Sequence, residues 1–244
     1  MDLTDRTPAR VAVEDPVGGA FAALLATPGL HEVLELRSTF GFLAFHGGGL
    51  EEMTDVVAAA AAARAGASYY GVIHPDGWDG HLRSTLVRPE GSPRLAAFLG
   101  HVEVTVAVHG YGRVDRWTTL LLGGSNRELA AHLGAHLTAA LPDYVICTEM
   151  DEIPAELRGI HPDNPVNRPR LGGVQLELPP RVRGRSPFSP PPGPDGLSPP
   201  TAALIAALAS AARTSPDPTP DPTPDPTPVG KPSARIWEAD GDGR

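Results

Sequence analysis

The 244-residue sequence predicts a single α/β domain whose mixed, largely parallel sheet is flanked by helices, followed by a proline-rich tail. Three observations carry that expectation. Stretches dense in Val, Leu, Phe and Thr alternate with alanine- and leucine-rich stretches of helical spacing, the order of elements in a sheet wound with helices. Two of the extended stretches stop at a His-Gly pair, at His46 and His109, and ligands gather beyond the carboxyl ends of strands in such sheets. Finally, 15 of the 28 prolines fall in the last 61 residues, where Asp-Pro-Thr-Pro repeats over 217–228 without a large apolar side chain. That segment buries too little to offset its ordering entropy. Residues 1–18 therefore read as a flexible N-terminus, 19–183 as the domain and 184–244 as the tail. Within the tail, a short amphiphilic helix over 201–212 packs on the body, and disorder sets in from about 214.

In chain order, 19–26 reads as a short helix leading into one long strand over 33–46. Gly47, Gly48 and Gly49 form a tight strand-to-helix loop, followed by Thr54 as N-cap, an alanine-rich helix over 55–65 and Gly66 as its C-cap. A strand over 68–74, a Gly- and Asp-rich turn over 75–80 and a further extended segment over 81–87 come next. Ser92-Pro93 opens a short helix to Leu99, and 102–108 alternates into a strand that ends at His109-Gly110. The helix over 126–141 sets Leu129, Leu133 and Leu137 on one face. The remaining strands are 144–148 and 173–178, separated by a loop carrying Pro154, Pro162, Pro165 and Pro169.

The net charge is −9. Phosphate binding needs clustered cations, so nucleic acid is not an expected partner. The single Cys147 excludes an intramolecular disulfide framework and suits a reducing compartment. Residues 1–16 carry charge every few positions and no apolar leader, and no apolar run approaches the ~20 residues that span a bilayer. No membrane partner is expected and the expected location is the cytoplasm, with release or signal-independent export as the route to anything outside. Nothing in the sequence specifies an oligomeric state.

His46 and Glu51, five apart across the glycine loop, can present an imidazole and a carboxylate to one point, with His109 as a third ligand. Two histidines and a carboxylate, with a fourth position left for water, make the ligand set of a hydrolytic zinc site. Singly, a strand-end histidine is more often an ordinary hydrogen-bonded residue; two of them, each followed by glycine, favour a site. Alternation in 174–178 sets Gln175 and Glu177 on the face opposite Val174, Leu176 and Leu178. Glu177 is then either on the solvated face of an edge strand or a general base aimed at metal-activated water. Between 158 and 185, six arginines accompany only Asp163 and Glu177, a cationic stretch suited to an anionic substrate. Arg183 and Arg185, at the start of the tail, read as solvated. An esterase oxyanion loop at His46-Gly-Gly-Gly would require a G-x-S-x-G elbow, which is missing. Cys147 reads as a small buried hydrophobe, and His74, Asp76, Asp79 and His81 as parts of a plain turn.

His46-Gly-Gly-Gly-Leu-Glu51 with Thr54, His109-Gly, Asn164-Pro-Val-Asn167-Arg168 and Gly173-Val-Gln-Leu-Glu177-Leu, in that order, resemble the poly-gamma-glutamate hydrolase family. That family is a compact zinc-dependent relative of the metallocarboxypeptidases, and the resemblance runs from about Leu34 to Arg183. It implies a zinc carboxypeptidase-like fold, Zn2+ as cofactor, an anionic peptide polymer as substrate and cleavage of γ-glutamyl amide bonds. Its ligands fall on His46, Glu51 and His109 and its catalytic carboxylate on Glu177. Asn167 and Arg168 are similar to the Asn-Arg pair with which metallocarboxypeptidases grip a carboxylate; Asn164 and His81, the latter in a recurrent His-x-x-Ser segment, join them as substrate-side residues. The family's usual Pro-Gly-like pair is replaced by Glu52-Met53, which changes the loop's rigidity and sets a second carboxylate beside Glu51. The alternatives are a zinc amidase or carboxypeptidase acting on another acidic or cell-wall peptide, and a non-catalytic anion-binding module.

Overall fold

The computed structural model describes residues 17–215. The expected flexible segment through residue 16 and the Asp-Pro-Thr-Pro repeat lie outside the described residues.

Seven strands form one sheet in the order β1-β3-β2-β4-β7-β5-β6. Its centre is parallel: β3 (Ala67–His74), β2 (Ser38–Gly48), β4 (Val104–Gly110) and β7 (Gly173–Leu178) all run the same way. At one side β1 (His31–Glu35) is antiparallel to β3; at the other, β5 (Thr119–Leu122) is antiparallel to β7 and parallel to β6 (Val145–Cys147). The sheet is mixed and largely parallel, as the alternation of elements predicts.

One face is sealed by α2 (Thr54–Ala65), α4 (Arg127–Ala140) and α5 (Pro199–Arg213). Leu129, Leu133 and Leu137 of α4 and Leu204, Ile205 and Leu208 of α5 meet Val106, Val108, Val174, Leu176 and Leu178 of the central strands in the larger core. Each fully buried leucine contributes ~1.5–3 kcal/mol. The helix read over 201–212 is thus longer by a few residues and is part of this core, so the folded unit continues past residue 184. The other face carries α1 (Gly19–Leu25) and α3 (Pro93–His101), whose Phe21, Leu95 and Phe98 pack with Leu43, Phe45, Tyr70 and Val72. The chain leaves β2 through α2 to reach β3, then returns through α3 to β4 on the far side of β2. Strand order reverses there, and in open sheets of this kind ligands bind beyond the carboxyl ends of the strands at such a point, here β2 and β4.

Local chemistry explains where expectations fail. The run 33–46 is two strands, broken at the exposed Leu36 and at Arg37. There the Arg37 backbone N–H donates to Ser68 Oγ at 2.8 Å and its guanidinium to Ala67 O at 2.9 Å, which turns the chain from the sheet edge toward its centre. Thr54 does not cap α2: Met53 holds that position at φ 75°, and the Thr54 hydroxyl donates to Glu51 O at 2.8 Å. Gly66, at φ 68°, closes the helix as expected. The segment 81–87 is not extended but makes one tight helical turn at Ser84–Leu86. β5 escapes prediction because Leu120, Leu121 and Leu122 are buried alike and leave no alternation to read. No described helix is long and apolar enough to cross a membrane.

Candidate metal centre

The glycine loop folds Glu51 back onto β2. Gly48 adopts φ 66°, and a Cβ there would lie 2.2 Å from His74 O, so the loop can lie against the end of β3 only with glycine at this position. Gly49 N donates to His74 O at 2.9 Å, His74 Nδ1 sits 3.1 Å from Gly47 O, and Glu51 N donates to His46 O at 2.8 Å. The turn thereby closes directly over the strand end. Glu51 Oε1 then lies 3.0 Å from His46 Nδ1, and Oε2 lies 3.3 Å from His109 Nδ1 while accepting from Gly110 N at 2.8 Å. Phe45 wedges edge-on against both imidazoles, with ring centroids 4.9 Å from His46 and 4.8 Å from His109. Both histidines are buried. His81 joins them: its ring centroid is 4.6 Å from that of His46, and the ligand atoms of His46, Glu51 and His81 lie within 4.8 Å of one another.

The charges in this cluster are strongly coupled. Burial alone would raise the Glu51 carboxyl, but His46 and His109 outweigh it and hold it far below the usual carboxylate range. Burial likewise opposes a charged His109, and Glu51 reverses the balance and raises it. His81 is pushed down, by burial and then by His46. His46 Nε2 lies 2.9 Å from Leu82 O. A carbonyl only accepts, so that nitrogen carries a proton and Nδ1 is the ring atom that faces Glu51 Oε1. His109 Nε2 is buried with no hydrogen-bond partner, a signature of a site that holds something besides protein.

Glu177 faces this cluster from β7. It pairs with His109 across the parallel β4–β7 ladder and with Leu121 on β5, so its strand is central rather than at an edge. It is 3% exposed, and burial pushes its carboxyl up to about 7. Alternation sends Gln175 and Glu177 to the face opposite α4, but that face is not solvated. The loop 153–169 covers it: Gln175 Nε2 donates to Glu177 Oε1 at 2.8 Å and to Leu157 O at 3.4 Å, and Asn164 Nδ2 donates to Gln175 Oε1 at 2.7 Å.

The residues expected on the substrate side are distributed differently. Asn164 is buried and bonded to Gln175 and to Val166 N; Asn167 accepts from Ser125 N at 3.0 Å and donates to Gly159 O and His161 O at 2.7 and 3.0 Å. These amides staple the loop. Arg168 lies 3.6 Å from Asp163, which also takes Arg88 at 3.3 Å. Arg170 pairs with Glu103 and Arg185 with Glu52, so the cationic stretch is largely compensated by acids from elsewhere in the chain. Glu52 is thereby drawn away from the centre. Cys147 is buried, as a small hydrophobe should be. His74, Asp76 and Asp79 do not assemble with His81 into a metal group among the described residues. Arg183 is a correction: it is 8% exposed, donating to Glu52 O at 2.7 Å and to Leu178 O at 3.2 Å, with its guanidinium against Gly110. It braces the glycine loop after β2 onto the ends of β4 and β7, and its place just before a proline-rich segment gives no sign of this. Gln175 also went unread, because a polar residue alternating with apolar ones looks the same under water as under a loop.

A model of the poly-gamma-glutamate hydrolase family matches residues 29–187. The chain belongs to that family. Among solved structures, a bacteriophage poly-gamma-glutamate hydrolase is similar at TM-score 0.62 and 22% identity, over 78% of this chain and 91% of its own. A second, named YNDL and solved in a zinc-free form, is similar at TM-score 0.59 and 24% identity, over 76% and 90% of the two chains. At these identities the likenesses establish the shared fold. No curated protein matches the sequence at a significant level. The family match ends before α5, which the fold nevertheless places in the larger core.

Proposed function

We propose that this chain is a zinc-dependent hydrolase of γ-glutamyl amide bonds, with His46, Glu51 and His109 holding the ion and Glu177 as general base. The observation that carries the proposal is the convergence of two buried imidazoles on one carboxylate, His46 Nδ1 at 3.0 Å from Glu51 Oε1 and His109 Nδ1 at 3.3 Å from Oε2, beside a buried His109 Nε2 with no hydrogen-bond partner. Two imidazole nitrogens and a carboxylate suit Zn2+, and the zinc-free description of the YNDL structure accords with that choice.

When bound, zinc supplies Lewis-acid polarisation of the amide carbonyl and lowers the pKa of water at its open position. The chain's own residues do the rest. Glu177 takes the proton of the attacking water and returns it to the leaving nitrogen. Its position near neutrality suits both transfers. Gln175 holds one carboxylate oxygen in place, so proton exchange falls to the other, and Asn164 acts through Gln175. His81 stands beside the centre to meet the substrate, and Asn167 and Arg168 belong to the loop where we place the grip on substrate carboxylates.

The test combines metal analysis with product analysis. Purified protein should hold zinc and shorten γ-polyglutamate, but not α-polyglutamate or muropeptides. Glu177→Ala should retain the zinc and lose ~10²–10⁴-fold in rate, the usual contribution of a general base. Full activity in that variant would remove Glu177 from the mechanism, and a wild type that neither holds nor takes up zinc would favour an anion-binding module.

A further inference from the structure

A second cluster of imidazoles lies away from this centre, on the helical face of the sheet. His132 and His136 are four apart on α4, so both project from the same side of the helix, and their ring centroids are 4.9 Å apart. Both are half-buried against the end of α5. Thr214, just beyond that helix, sends its hydroxyl proton to Ser210 O at 3.0 Å. Its oxygen lone pairs are then turned to His132 Nε2 at 3.4 Å and His136 Nε2 at 3.3 Å. Ala211 O, one of the carbonyls with no helical donor at the end of α5, lies 3.0 Å from His132 Nε2 and accepts its proton, which a metal ion would displace.

Thr214 Oγ1 thus lies within 3.4 Å of both imidazole Nε2 atoms and Ala211 O lies 3.0 Å from one of them, separations near the edge of about 3.3 Å in a tetrahedron whose metal–ligand bonds are about 2.0–2.1 Å. Paired histidines at this helical spacing are a bidentate chelate for borderline divalent ions. The setting reinforces them, because the carboxyl end of a 15-residue helix carries partial negative charge that favours a cation. We propose that His132 and His136 chelate a divalent transition ion such as Zn2+, Ni2+ or Cu2+ at the α4–α5 junction, with Thr214 Oγ1 and Ala211 O completing the site. Among the described residues no carboxylate joins the cluster, and we assign the site a structural role, clamping the last turn of α5 to the middle of α4.

The experiment is a Ni2+ titration of the metal-free full-length chain, followed by calorimetry and by the imidazole signals in its NMR spectrum. Wild type should bind one equivalent more than His136→Gln, and Glu51→Gln should keep that equivalent. Substoichiometric Ni2+ should broaden the ring signals of His132 and His136 in wild type. Added metal should raise Tm by a larger margin in wild type than in His136→Gln. Equal stoichiometry in wild type and His136→Gln, or unbroadened His132 and His136 signals at saturation, would overturn the proposal. His132→Gln repeats the comparison independently, and neither count depends on whether the site at Glu51 fills.

Discussion

The two faces of the sheet are covered by different kinds of structure, and the strands beneath them differ accordingly. Under α2, α4 and α5 the central strands present only apolar side chains, Val106, Val108, Val174, Leu176 and Leu178. On the opposite face of one of these strands, Gln175 and Glu177 lie beneath a loop whose Leu157 carbonyl and Asn164 side chain pair with Gln175, which in turn bonds Glu177. A helix has already spent its mid-chain backbone groups on itself and can seal only an apolar surface; an irregular loop has them to spare. One strand can therefore belong to the core on one side and to the proposed reaction on the other, and on that proposal stability and chemistry should separate by face.

The most demanding trial of that separation is a cavity on the helical face. Leu208→Ala, in a fully buried position of α5, should lower stability by ~2–5 kcal/mol in urea denaturation. Metal content and rate per folded molecule should stay at wild-type values. A large loss of rate without a loss of stability would show that the two faces are coupled.

On the other face, charge replaces volume. With its carboxyl raised to about 7 from an ordinary value of 4.5, Glu177 in the metal-free protein binds its proton more tightly folded than unfolded. Below about pH 4.5 it is protonated in both states and contributes nothing. As pH rises toward 7 the unfolded chain releases the proton first, so stability falls, and above 7 the full penalty of about 3 kcal/mol is reached. Metal-free Glu177→Gln should thus gain on wild type between pH 4.5 and 7, with no difference below. Parallel stability curves across that window would show that burial does not disfavour the charged carboxylate.

Much of this contrast was legible in the chain. Central parallel strands are apolar on both sides, so His46, His109 and Glu177 stand out against their neighbours, and the glycines after His46 mark a loop that must lie close to another strand. What alternation could not convey is what covers a face. Gln175 and Glu177 read equally well as solvated until residues 153–169 are laid over them. The burial of Arg183 depends on Glu52 O, 131 positions away, and β5 on neighbours distant in sequence. Thr54 looked like a cap because its residue type favours one, but the turn that returns Glu51 to His46 claims its hydroxyl.

The loop's hydrogen bonds can be tested with little change in volume. Gln175→Leu removes the donor to Glu177 Oε1 and the acceptor for Asn164. Positioning partners of this kind are typically worth about 10- to 100-fold. The loss should fall on kcat with KM unchanged, since the substrate-side residues keep their places. A rise in KM alone would mean that the amide acts on substrate binding instead.

The smallest expected effect concerns the turn between the two faces, where the loop after β2 enters α2. Met53 is the described non-glycine residue with positive φ, at 75°, a conformation that clashes with a Cβ. The family's usual Pro-Gly-like pair falls at 52–53, so this chain carries methionine where glycine would be free of strain. Glycine costs some unfolded-state entropy and forfeits a half-buried side chain, which trims the benefit. Met53→Gly should still gain about 0.5–1 kcal/mol, read from urea denaturation, with zinc content unchanged. A net loss would mean that Met53 packing outweighs its backbone strain.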